Sequence, residues 1–300
     1  MDMDRLEQMQ VFIAVAEEEG FAAAARRLTM SPPAVTRAIA ALEERLGVKL
    51  LNRSTRIVRV TDAGLRYLDD ARRIVADIQA ADEAAAGINA EPKGHLAVTA
   101  PVLFGQKFVV PGIVEYLQKY PDTQVDGVFY DRVVNLLEEG MDVGVRIGQL
   151  PDSSMRALAV GKVRMIMVAS PDYLEKQGIP QSPEELDQHA LIASRAGNLG
   201  EWKLQKEGKP YLCRIKPRLT LTSNDGVIAA AKEGFGITRV LSYQVADELK
   251  QGSLKIILET YEPAPLPVHI VHREGRLAST KVRAFIDLMA ERLRSNPALN

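Results

Sequence analysis

The stretch that decides the fold runs from Ser31 to Gly47: Ser31-Pro32-Pro33-Ala34-Val35-Thr36-Arg37-Ala38-Ile39-Ala40-Ala41-Leu42-Glu43-Glu44-Arg45-Leu46-Gly47. Ser31 is an N-cap residue, and Pro32 sits at the first helical position, where a missing N–H costs nothing. At about 100° per residue, Val35, Ile39, Leu42 and Leu46 fall on one side and face a core. Pro33, Thr36, Arg37, Ala40 and Ala41 fall on the other. Alanines give that side a low profile, so the helix fits deep in a major groove, with Arg37 reaching a guanine edge or phosphate and Thr36 a phosphate or thymine methyl. An ordinary solvated helix shows Glu and Lys there instead. Upstream, Leu6, Met9, Ile13 and Ala16 mark an amphipathic helix ending near Gly20. An alanine-rich helix from Phe21 to about Leu28 completes helix-turn-helix geometry.

Past Gly47, two β-prone runs flank a polar Arg53–Arg56 tip, predicting a short hairpin over Val48–Thr61. This wing places Arg53 and Arg56 beside a minor groove or phosphates. Net charge over the 300 residues is −1, yet Arg26–Arg59 holds eight basic groups against Glu43 and Glu44. Such a block suits either a polyanion-facing surface or a solvated helix pair.

From Ser31 to Gly64 the chain resembles the winged helix-turn-helix signature of the LysR-type transcriptional regulators. The likeness runs through Gly20-Phe21, Ala24-Ala25, Leu28, Ser31, Pro33-Ala34-Val35, Arg37, Ile39, Leu42-Glu43, Leu46-Gly47, Leu50-Leu51, Arg53, Thr61 and Gly64. The resemblance implies that Ser31, Pro33, Thr36, Arg37, Arg53 and Arg56 form the DNA-binding set, in a domain spanning 1–61. Pro32 and Thr36 stand where many members carry Gln and Ser, which removes one amide contact to a base.

Thr61 can cap a long helix from about Asp62 to Ala90. Along it Tyr67, Ala71, Ile74, Ile78, Ala81, Ala85 and Ile88 repeat at alternating spacings of 4 and 3, a heptad seam. The seam suits a dimeric helix pair or one helix lying on its own domain. In the family this element, 62–90, is the dimerising linker. Glu91-Pro92-Lys93-Gly94 then breaks the helix.

From residue 93 onward, short apolar runs alternate with helical stretches. The strands are expected at Leu96–Thr99, Val125–Phe129, Val143–Ile147, Met165–Ala169, Leu191–Ala193, Leu219–Leu221, Leu254–Leu258 and Val268–Val271. Helices are expected near Val109–Lys119, Val133–Glu139, Pro183–His189, Gly226–Lys232, Ser242–Lys250 and Ser279–Arg294, with Ser182-Pro183-Glu184-Glu185 as a capping box. This alternation predicts an α/β domain with a mainly parallel sheet. The resemblance implies a two-lobed periplasmic-binding-protein-like region over 93–300. One lobe would take about 93–161 with 268–300, the other about 162–267. VPGIVEYLQKYP, DVGVRIGQLPDSSM, ASPDYL and GFGITRVLSYQVADEL resemble the CrgA-like subgroup of the family.

Ligands of open α/β sheets sit beyond the carboxyl ends of the strands, near helix N-termini. Candidate effector-binding residues are therefore Thr99, Ala100, Pro101, Val102, Arg146, Ser194, Arg195, Ser223 and Asn224. Arg146 and Arg195 beside helix ends suit an organic acid.

Other signals point nowhere. His95, His189, His269 and His272 lack metal-ligand spacing, and the lone Cys213 can form no intrachain disulfide. Gly234-Phe235-Gly236 lacks the third glycine of a dinucleotide loop. No nucleophile–base pair presents itself, so neither an enzyme nor a cofactor or metal is expected. No 18-residue apolar run occurs, and the acidic opening twenty residues, with one arginine, do not suit a signal sequence. The expectation is a cytoplasmic, effector-responsive regulator that binds an interrupted palindrome as a homodimer or homotetramer, without a membrane. A solute-binding protein of the same α/β fold, or a small-molecule enzyme on it, are the competing readings.

Overall fold

The computed structural model describes residues 4–53, 58–86, 91–132, 134–136, 138–150, 155–195, 200–206, 208–272 and 278–299; the side chains at 53, 73, 76, 77, 79–81 and 83–86 lie outside that description. The chain divides into two compact units, 1–90 with 277–280 and 91–276 with 281–300.

In the first unit α1 (Arg5–Glu17), α2 (Phe21–Arg27) and α3 (Pro32–Leu46) precede a hairpin, β1 (Leu51–Arg53) and β2 (Val58–Val60), and then α4 (Asp62–Ala86). Asp4 and Glu7 cap α1 reciprocally, side chain to backbone N–H in both directions. The predicted face of α1 is shifted. Its buried side chains are Gln8, Val11, Phe12, Ala14 and Val15, whereas Ile13 and Ala16 only pack against the core edge. Three other helices surround α1, so apolar residues on most of its circumference find partners. Val11, Phe12, Val15, Val35, Ile39, Leu42 and Leu50 form the centre of this core, each large side chain stabilising by about 1.5–3 kcal/mol.

The heptad seam of α4 is divided. Tyr67 packs on Phe12 with ring centroids 5.6 Å apart and Ala71 is fully buried, so these two positions belong to their own domain. Ile74 and Ile78 are exposed, as is Leu65. The last seam position, Ile88, and the side chains of Ala81 and Ala85 lie outside the described residues.

The second unit holds two five-stranded sheets. The first contains β3 (Gly94–Ala100), β4 (Thr123–Phe129), β5 (Val143–Ile147) and β6 (Arg156–Val163), ordered β4-β3-β5, then a late strand, then β6. Short α5 (Val102–Phe104) runs through a wide π turn at Gly105–Val109 into α6 (Val110–Lys119). The second sheet begins with β7 (Met165–Ala169), followed by α7 (Pro171–Gln177), β8 (Leu191–Ser194), a covering hairpin of β9 (Glu201–Lys206) and β10 (Lys209–Arg214), and β11 (Leu219–Leu221). Then come α8 (Asn224–Lys232), β12 (Ile237–Leu241), α9 (Ala246–Gln251) and β13 (Lys255–Ile257). The order in this sheet is β11-β8-β12-β7-β13. The chain returns through β14 (Leu266–His272), the late strand between β5 and β6, and ends on α10 (Thr280–Arg294).

Both sheets are mixed rather than mainly parallel. β3 runs parallel to β4 and β5, and β8 to β11 and β12. β14 and β7, however, pair antiparallel with both of their neighbours. These are the strands by which the chain changes sheets. β7 follows β6 after Arg164 alone, and the two strands lie in different sheets.

Two local expectations fail. Around Val133–Glu139 the described residues make turns, not a helix; the Val134 carbonyl instead accepts from Arg146 Nη2 at 2.9 Å. Ser182 does precede a 3-10 turn over Pro183–Gln188, but its side chain makes no capping bond. Glu185 instead accepts from the Gln181 N–H at 3.0 Å.

Candidate nucleic-acid interface and inter-lobe cleft

Ser31 Oγ accepts from the Ala34 N–H at 3.4 Å, and Gly47, at φ +67°, closes α3 in the left-handed conformation. Between these caps Pro33, Thr36, Arg37 and Ala40 are exposed and Ala41 is half-buried. Thr36 donates its hydroxyl to the Pro32 carbonyl at 3.0 Å, which leaves its methyl and lone pairs outward. Arg37 has no ion-pair or hydrogen-bond partner among the described residues. An unpaired guanidinium among small side chains can approach base edges without first breaking a salt bridge.

What fixes this helix against the wing is Glu43, whose role the sequence did not suggest. The residue is 3 % exposed, and one carboxylate oxygen accepts from the backbone N–H groups of Leu50 at 3.0 Å and Leu51 at 3.2 Å. The other oxygen meets Lys49 Nζ at 2.7 Å. Burial by itself would raise this carboxyl. Lys49 and the Leu51 and Leu50 N–H groups outweigh it and hold the group below the ordinary range. Thr61 fastens the other end: its hydroxyl donates to the Lys49 carbonyl at 2.8 Å and accepts from the Gly64 N–H at 3.0 Å. The wing pairs Leu51 with Val60, Asn52 with Arg59 and Arg53 with Val58. Arg59 is exposed. The Arg53 side chain and the whole of Arg56 lie outside the described residues.

Glu17 joins three helices of the same unit. It meets Arg27 on α2 and Arg72 on α4, each at 2.8 Å. Burial opposes its ionisation, but the two guanidinium groups prevail and lower it.

In the second unit, the carboxyl ends of β3 and β4 lie side by side, Ala100 opposite Phe129. Thr99 and Ala100 are buried, Pro101 and Val102 half-buried, and no hydrogen-bond partner meets Thr99 Oγ1 among the described residues. The Val102 N–H donates to Asp131 Oδ1 at 3.1 Å. From the other sheet, Asn224 Nδ2 donates to Asp131 Oδ2 at 3.2 Å. Ser223 caps α8, accepting from the Gly226 N–H at 3.2 Å. Ser194 ends β8, and exposed Arg195 follows with its N–H on the Leu221 carbonyl at 2.8 Å.

Arg146 is bound to backbone. Its guanidinium donates to the Val145 and Val134 carbonyls at 3.0 and 2.9 Å, and burial pushes its pKa down. These bonds use two of its five N–H donors and leave its charge uncancelled. Phe104, at the end of α5, and Phe108, on the wide helical turn, meet Tyr243, two residues past β12, with centroids 5.3 and 5.7 Å away. Lys107 pairs with Asp247 at 2.9 Å beside them. Asp131 and Tyr243 were not anticipated. Asp131 was within reach of the same rule that named Thr99, since it lies two residues past the end of β4.

Residues 6–65 match the family model "Bacterial regulatory helix-turn-helix protein, lysR family", and residues 89–294 match "LysR substrate binding domain". The chain belongs to the LysR family. It is 32 % identical over 293 residues to the HTH-type transcriptional regulator CrgA of Neisseria meningitidis, covering 97 % of both chains. It is likewise 32 % identical to the HTH-type transcriptional activator AaeR of Escherichia coli, over 96 % of this chain and 94 % of that one. The full-length structure of the Vibrio cholerae virulence activator AphB superposes with a TM-score of 0.62 at 27 % identity, over 96 % and 99 % of the two chains. As a LysR-type regulator, this chain is a DNA-binding transcriptional regulator with an effector-binding domain, and the solute-binding alternative is not favoured. Both of these relatives are named as transcriptional regulators. No helix among the described residues is long and apolar enough to cross a membrane. No metal-binding cluster occurs among them either.

Proposed function

We propose that the exposed face of α3 reads the major groove, with Ser31, Pro33, Thr36 and Arg37 nearest the DNA and Arg53 and Arg56 on the flanking wing. The observation that carries this reading is the Arg37 guanidinium, without a partner among the described residues and flanked by small side chains, on a helix anchored to the wing through Glu43. Such a regulator acts as a cytoplasmic homodimer or homotetramer on an interrupted palindrome, because one helix-turn-helix buries little DNA and two-fold symmetry supplies a second half-site. Exposed Ile74 and Ile78 on α4 suit that pairing. The working division is 1–61 for DNA, 62–90 for dimerisation and 93–300 for the effector, without catalysis. The effector sits between the sheets near Thr99–Val102, Ser194, Arg195, Ser223 and Asn224. It acts by favouring one arrangement of the lobes over another.

Sequencing genomic fragments retained by the purified protein tests the reading; a discrete, symmetric sequence is expected, and retention without any shared sequence rejects it. On the recovered site, Arg37→Ala is expected to cost about 1–3 kcal/mol of specific binding. A mobility shift with undiminished affinity and selectivity would remove Arg37 from the interface. Affinity should also fall steeply with salt, log K dropping about 0.9 per log unit of salt for each neutralised phosphate. A flat titration between low and moderate salt contradicts a phosphate-tracking wing.

A further inference from the structure

We propose that Asp131 selects the effector, and that this effector carries a protonated amine or amidinium which takes the place of Asn224 on the carboxylate. The inference rests on the inter-lobe reading above. Its ground is the way Asp131 is held. The Val102 N–H fixes one oxygen from the first sheet, and the Asn224 amide reaches the other from the second. Both donors are neutral, so neither bond brings the Asp131 carboxylate a counter-charge.

Arg132 forks onto Glu139 at 2.6 and 3.1 Å and Lys107 pairs with Asp247, so both of these cations have carboxylates of their own. The walls are of low polarity: Phe104 and Tyr243 are fully buried against each other. Burial, and behind it the Asp131 charge, push the Tyr243 phenol up. Thr99 Oγ1, buried and without a partner among the described residues, adds a neutral hydroxyl to the same end of β3.

A carboxylate ligand entering this space meets like charge, whereas an ammonium replaces a neutral N–H donor by a charged one, and charge-assisted bonds are roughly twice as strong. The exchange also frees Asn224, and with it one tie between the sheets. Ligand binding and lobe position are then coupled through a single oxygen.

The test uses full-length protein and two probes with one ring and opposite charge, benzylamine and benzoate, at matched concentrations, read by thermal shift and calorimetry. Benzylamine is expected to bind and benzoate not to. Asp131→Asn keeps an oxygen for the Val102 N–H and is expected to weaken benzylamine about tenfold or more, the equivalent of one charge-assisted bond. The wild-type pair alone decides the matter if the variant folds poorly. Preference for benzoate, no binding of either probe, or benzylamine binding untouched in a cooperatively folded Asp131→Asn protein each overturns the proposal. Failure of the regulator reading shows separately, as the absence of any shared sequence in the DNA recovered by the wild type.

Discussion

Replacing Gly64 with alanine is expected to destabilise the amino-terminal unit by about 3 kcal/mol or more, at the upper end of overpacking effects. In a helix interior the change would ordinarily stabilise, by roughly 0.5–1 kcal/mol. Here geometry reverses the sign. A Cβ on Gly64 would lie 2.1 Å from the Leu50 carbonyl oxygen and 2.7 Å from Val60 Cγ1. Leu50 cannot retreat, because its N–H is bonded to Glu43 and its carbonyl accepts from the Thr61 N–H at 2.9 Å. Relief requires α4 to lift from the wing, breaking the Thr61 cap on the Gly64 N–H.

The measurement can separate the two units. Trp202 is the only tryptophan and is buried in the second unit, so its fluorescence follows that unit alone. Hydrogen exchange over residues 5–60 follows the other. Gly64→Ala is expected to raise exchange in the first region and leave the tryptophan transition in place. Unchanged or slower exchange there would falsify the close-approach argument.

Glu43→Ala is the second large effect, about 2–5 kcal/mol. Two buried N–H groups, on Leu50 and Leu51, lose their acceptor, at about 1–3 kcal/mol for each group left unsatisfied. Lys49 contributes little, because its side chain is 74 % exposed. The loss should appear first as faster exchange of the Leu50 and Leu51 amides, then as weaker DNA binding, since the wing no longer holds its angle to α3. Protected amides at these positions in the variant would refute the assignment.

A pH dependence accompanies it. Glu43 ionises more readily in the folded protein than in the unfolded chain, whose ordinary value is near 4.5. Its contribution is therefore complete above that value and is lost as pH falls through the lower folded value. Glu17 acts in the same direction through Arg27 and Arg72. Glu43→Gln keeps one side-chain oxygen as acceptor and lacks the titration. It should flatten, without abolishing, the acid loss of stability in the first unit, Glu17 supplying the remainder.

Much of the framework of the candidate interface could be read from residue order. Ser31, Pro32 and Gly47 bracket α3 by local rules that need no tertiary partner, and its small outer face follows from helical angle alone. The hairpin at Leu51–Val60 followed from β-prone runs around a polar tip. Less could be read where partners are remote. Glu43 looks like an ordinary helix-surface carboxylate until the wing folds over it, and Asp131 like a loop residue until Asn224, 93 positions away, reaches it. Arg146 reads in the sequence only as a charge; that two of its N–H groups hold backbone carbonyls shows only in the folded chain.

Sequence alone determined what depends on near neighbours: caps, helix and strand periods, the low-profile face around Arg37, and the alternation of strands and helices beyond residue 93. Tertiary structure decided what depends on contacts between distant segments. Those are the antiparallel entry of β7 and β14 into otherwise parallel sheets, the division of the α4 seam, the burial of Glu43 and the placing of Asp131 between lobes. The physical reason is that local periodicity fixes which side of an element is apolar, whereas hydrogen-bond partners and desolvation are set by whichever element packs against it.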